Sequence, residues 1–118
     1  MATALVLYVA PGEVIDYTPD SAVSAGDVVV AEDLVGVAKH DIAADAQGEL
    51  ALEGIFDFPK STASSSAIDF GKKVYWDEGD EEAKEDSESG ANKFLGLCVR
   101  DAEDADEFVR VKKVLPGS

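Results

Sequence analysis

A chain of 118 residues, 46% of them apolar, has material for one compact core and little room for a second. Its 25 acidic residues against 10 basic ones give a formal net charge of −15, a balance that repels phosphate backbones and anionic lipid and argues against nucleic acid and membrane as partners. Cys98 is the only cysteine, which excludes an internal disulfide and any C-x-x-C metal or redox site. Flanked by Leu97 and Val99, it is expected to be a buried structural thiol.

At the start of the chain, Leu5, Val6, Leu7 and Tyr8 are apolar and are followed by Pro11-Gly12. The first ten residues lack the basic flank and full apolar stretch of a secretion signal, and no run approaches the roughly 20 apolar residues of a membrane span. Two readings of residues 1–11 stand side by side: a first strand of the domain's own sheet, or an arm that adds to a sheet edge of a partner. Residues 12–115 are expected to form a single β domain, with 116–118 as a tail.

Strand signals dominate that domain, over residues 5–9, 13–17, 27–31, 34–38, 48–58, 72–76, 93–99 and 107–115. Each is short, rich in β-branched or aromatic residues and bounded by turn residues. In 48–58, Leu50, Leu52, Phe56 and Phe58 share one face while Ala51, Glu53 and Asp57 take the other, with Ile55 the exception. Gly54 interrupts the apolar face, which predicts a bulge or a bend at a corner. In 107–115, Val109 and Val111 alternate with Arg110 and Lys112.

The two halves echo each other. Leu34-Val35-Gly36-Val37-Ala38 followed by Asp41 resembles Phe94-Leu95-Gly96-Leu97-Cys98 followed by Asp101, at an offset of 60. Upstream, Gly26-Asp27-Val28-Val29-Val30 parallels Gly71-Lys72-Lys73-Val74-Tyr75. The fold expected is therefore all-β, a small single-domain β-barrel or β-sandwich of β-clip-like form with a weak internal pseudo-repeat. Residues 61–67 and the acidic stretch 77–92 read as loops, the second an insertion facing solvent.

No motif for catalysis is complete. Gly71-Lys72 lacks the earlier glycine and the following Ser or Thr of a phosphate-binding loop, since Ser66 and Lys73 stand there. The run from Asp77 to Glu82 places glycine third, whereas a calcium loop of the EF-hand type needs it sixth. Paired carboxylates for acid/base work need a fixed separation that a charged loop does not hold. His40, the only histidine, sits in a polar turn with no partner for a triad. No catalytic, cofactor-binding or metal-binding residue is assigned and no cofactor is expected. Tyr75 and Trp76 close a strand beside the acidic stretch and are candidates for the core or for an oligomer interface.

Four segments together, residues 26–30, 34–38, 54–60 and 73–77, closely resemble the DUF2190 family of small tailed-phage proteins, regarded as capsid cement or decoration proteins. The most specific pieces are Gly54-Ile55-Phe56-Asp57-Phe58-Pro59-Lys60 and Val74-Tyr75-Trp76-Asp77. The strand 74–77 followed by Leu95-Gly96-Leu97 is also similar to the lambda-type head decoration protein, a trimeric β-rich fold with an N-terminal arm that reaches the shell. These resemblances imply a non-enzymatic virion protein, made in the host cytoplasm, that binds the major capsid protein on the outer surface of the expanded head and steadies it against internal DNA pressure. They imply a homo-oligomer, with a trimer favoured; if residues 1–11 form an arm rather than a first strand, Leu5, Val6, Leu7 and Tyr8 are its expected shell contacts. The alternative is a virion-surface module for host attachment or glycan binding.

Overall fold

The computed structural model describes residues 12–115. Leu5, Val6, Leu7 and Tyr8, with both readings of residues 1–11 and the tail 116–118, lie outside the described residues. The elements in order are β1 (Val14–Tyr17), β2 (Val28–Ala31), β3 (Leu34–Ala38), β4 (Gly48–Ala51), β5 (Gly54–Pro59), β6 (Lys73–Asp77), β7 (Glu82–Lys84), β8 (Lys93–Arg100) and β9 (Phe108–Lys113). Every pairing is antiparallel, within two open sheets ordered β1-β4-β3-β2 and β5-β9-β8-β6-β7. The architecture is a sandwich of two sheets and not a closed barrel.

Two expectations change on meeting the structure. The single strand expected over 48–58 is two strands in different sheets, and Gly54 stands where the chain crosses between them. Its φ of +141° lies in a region that side chains resist. The acidic stretch 77–92 is more than a loop, because β7 pairs with β6 across it and buries Ala83. Lys84 donates to Asp77 and Asp80 at 2.7 Å each, which removes part of the like-charge repulsion there. The amide of Asn92 reaches the Asp86 carbonyl at 2.8 Å and the Glu88 carboxylate at 2.9 Å, closing the segment back onto β8.

The pseudo-repeat is a duplication of structure. The order β1-β4-β3-β2 recurs as β5-β9-β8-β6, with β7 added at the edge. Single hydrogen bonds recur as well. The Gly26 N–H donates to the Ala38 carbonyl at 2.6 Å, as the Gly71 N–H donates to Cys98 at 2.8 Å. Both glycines take φ near +90°, at +93° and +90°. The bridge Val23↔Ile42 recurs as Ile68↔Ala102. Asp41 and Asp101, the shared acids after each Gly-centred strand, accept the N–H of Ala25 at 2.8 Å and of Phe70 at 2.7 Å. Each carboxylate thereby ties down the turn that launches its half's hairpin.

How the halves stack is less symmetrical. Ile15, Tyr17, Val23, Val29, Ala38, Ile42 and Leu50 cluster on one face of the first sheet. Their counterparts by pairing, Phe56, Phe58, Ile68, Val74, Cys98, Ala102 and Val111, all belong to the main core. The first sheet offers that core its other face, through Val28, Val30, Val35 and Val37. The sheets therefore stack face to back. Trp76 packs into the same core against Phe58, ring centroids 6.0 Å apart. A bulge between Val74 and Tyr75 turns Leu95 inward, fully buried, and leaves Phe94 outside beside Tyr75.

Lys113 puts a charged residue on the buried face of β9. It is 1% exposed, its Nζ donates to the Leu52 carbonyl at 3.0 Å, and burial pushes its pKa down to about 8. The unfolded chain, with an ordinary lysine, binds more protons between that value and about pH 10.5, so this group makes stability rise with pH across the window. Below the window the whole cost of holding the charge inside is present. Urea unfolding at pH 7.5 and pH 10 is expected to show a gain of about 2 kcal/mol in the wild type relative to Lys113→Met, which loses this contribution. The buried thiol of Cys98, whose pKa burial raises, acts with opposite sign in both proteins and cancels from the comparison.

Candidate interaction surface

Among the described residues the most exposed large apolar side chains are Phe70, Ile55, Phe108, Leu97 and Val14. Strand pairing assembles two of them with two lysines. Lys73 pairs with Leu97, Leu97 with Lys112 and Lys112 with Ile55, so one row of side chains crosses β6, β8, β9 and β5 on the outer face of the second sheet. Ile55 is 63% exposed and Leu97 43%. In a chain of net charge −15, a row in which lysines alternate with exposed apolar residues is a local reversal of character.

The neighbouring row is held by an ion pair. Arg110 donates from Nε and from its terminal nitrogen to the two carboxylate oxygens of Asp57, at 2.9 and 3.1 Å, across the β5·β9 register. The guanidinium holds the Asp57 carboxyl below the usual carboxylate range, and Asp57 in turn raises Arg110. Both side chains are more than two-fifths exposed, so the pair orders the surface more than it stabilises the fold. Phe108 extends the face where it pairs with Pro59. Asp57, Arg100, Phe108 and Arg110 line an open groove of about 360 Å³ at that end.

The candidates named from sequence separate here. Tyr75 is half-buried on this outer face, its ring set edge-on to Phe94 with centroids 5.8 Å apart. Trp76 points the other way and is 5% exposed, so it serves the core and has no surface to give a partner. Strand alternation is the reason, since neighbours in one strand face opposite sides. Ile55 was legible in the sequence as the apolar residue that broke the pattern of its strand, and Leu97 lay hidden in an apolar run. His40 is exposed in its turn, and Cys98 is buried with its Sγ 3.0 Å from the Arg100 carbonyl.

The described residues hold no cluster of three or more metal-ligating side chains, and none of the described helices is long and apolar enough to cross a membrane. A flat sheet surface with exposed apolar anchors between fixed charges suits a protein partner. A protein-family model described as phage cement protein matches residues 9–113. No curated protein and no solved structure matches.

Proposed function

The chain belongs to the phage cement protein family, a structural role on a virion capsid, and from that premise we propose that it binds the outer surface of the expanded head shell and resists the outward force of packaged DNA. The observation that carries this reading is the family match, which spans nearly the whole chain. Its partner is the major capsid protein, and it acts by binding, with no chemical step.

Linkage supplies the energetics. A ligand that binds only the expanded lattice stabilises it by RT ln(1 + [L]/Kd), about 3 kcal/mol per site at a hundredfold excess over Kd. Repeated over a shell, increments of this size oppose rupture. The domain of residues 12–115 serves as a rigid body and residues 1–11 as its arm, with Leu5, Val6, Leu7 and Tyr8 adding as a strand to a capsid subunit. Edge strand β1 follows that arm in the chain.

Co-sedimentation of the purified protein with the virus's own heads, before and after expansion, tests the reading. Saturable binding to expanded heads alone is expected. Deleting residues 1–10 is expected to leave a folded protein that no longer binds. No binding of the full chain to either form of head overturns the proposal, and a truncated protein that still binds overturns the role of the arm.

A further inference from the structure

The duplication covers an edge in the second half that it leaves bare in the first. Strand β7 lies along the outer edge of β6, with Lys84 opposite Tyr75. In the parallel between residues 26–30 and 71–75, the place of Tyr75 belongs to Val30 of β2, and β2 ends its sheet with a partner strand on one side only. The Ala38 N–H donates to the Asp27 carbonyl at 3.0 Å. By alternation the backbone groups of Val29 then face β3, and those of Val28 and Val30 face the open side. A groove of about 360 Å³ runs here, its lining including Val28, Val29, Val30, Trp76, Glu78 and Glu81. Val29 belongs to one face of the sheet and Val28 and Val30 to the other, so the groove follows the edge itself. An exposed edge strand is ordinarily blunted by a charge or a proline, and Val28–Ala31 carries neither.

Charge chooses the occupant. Residues 12–38 hold no lysine or arginine. Glu78 and Glu81 are exposed at the groove, and neither makes an ion pair among the described residues. A second copy of β2 would bring only the acids Asp27, Glu32 and Asp33 to these carboxylates, like charge to like. We infer that β2 takes a further strand from a shell subunit, an extended apolar segment that carries lysine or arginine. Main-chain hydrogen bonds to Val28 and Val30 hold it, and Glu78 and Glu81 select its charge. This contact rests on the shell-binding reading and deepens it, because here the domain receives a strand where its arm would give one.

The test pairs co-sedimentation on expanded heads with hydrogen exchange of the full chain, free and head-bound. Val30→Pro removes an N–H from the open side and leaves the ladder to β3 intact. Glu78→Lys with Glu81→Lys reverses the charge at two exposed positions. Each variant is expected to bind heads at least ~10-fold more weakly than the wild type, and exchange over residues 28–31 of the wild type is expected to slow on binding. Should Val30→Pro lose its β-sheet circular dichroism, the glutamate variant and the exchange decide. A wild type that binds heads while the variants bind equally, or while exchange over residues 28–31 is unchanged, overturns the inference and leaves the shell-binding reading standing. A wild type that binds neither form of head overturns both. Exchange in this segment that slows as the free protein is concentrated assigns the edge to a second copy, and overturns the inference as well.

Discussion

Lys60→Met is expected to lower the free energy of unfolding by about 2–4 kcal/mol, the cost of leaving several carbonyl acceptors without their shared donor. Lys60 is only 5% exposed. Its Nζ lies 2.7 Å from the Ser61 carbonyl, 2.9 Å from that of Glu103, 3.0 Å from that of Asp106 and 3.2 Å from that of Asp104, with the Ser66 hydroxyl at 3.3 Å. One ammonium thus holds the segment after β5 to the turn before β9. Asp104 adds to the same knot by accepting the N–H groups of Ser66 and Ala67 at 3.0 and 2.8 Å. Methionine fills the space and leaves the carbonyls facing an apolar chain end, where each unsatisfied acceptor is costly.

Arginine keeps the charge yet is expected to recover little, because its planar fork cannot converge on acceptors gathered around a single nitrogen. The measurement is urea unfolding, with a fall in midpoint at unchanged slope as the expected result. Against a typical domain stability of about 5–15 kcal/mol the loss is a large fraction of the total. A midpoint within experimental error of the wild type would mean that the knot is replaced by water at no cost.

Lys60 also marks where sequence reading stopped. Gly54 to Lys60 stood out as the most specific stretch of the family resemblance, but a lysine after a proline reads as a solvated charge. Only the fold brings residues 103–106 around it. The strands were legible wherever apolar alternation or β-branched runs supplied a signal, and the two Gly-centred segments revealed the duplication by their offset. Strand β7 gave no such signal, since Ala83 is its one apolar residue, between an acid and a lysine. The stacking was illegible for a different reason. Both faces of the first sheet are apolar, Val28 and Val30 on one and Val29 on the other, so the pattern alone does not say which face meets the second sheet. The interaction surface emerged only when that choice left Lys73, Leu97, Lys112 and Ile55 outside.

The duplicated glycines separate a general rule from a local one, and their alanine variants are expected to differ sharply. Gly36 and Gly96 occupy equivalent places, each opposite the second residue of the preceding hairpin strand, Val29 and Val74. A Cβ on Gly36 would meet Leu50 Cβ at 2.9 Å and Leu50 Cδ1 at 3.0 Å; Cδ1 can swing away, and Cβ needs only a shift of the neighbouring strand by a few tenths of an ångström. Gly36→Ala is therefore expected to cost about 1–3 kcal/mol, the usual range for overpacking. A Cβ on Gly96 would come within 2.0 Å of the Lys112 carbonyl oxygen and 2.9 Å of its carbon. Backbone cannot yield there without parting β8 from β9, the central pair of the second sheet. Gly96→Ala is expected to cost more than about 4 kcal/mol, beyond the range of most single substitutions, and to be recovered as misfolded protein or with a much lower melting temperature. Thermal unfolding of the two variants side by side measures the difference. Equal losses would show that the close approach at Gly96 relaxes as easily as the Gly36 contact with Leu50, and that the second sheet tolerates a spread between its central strands.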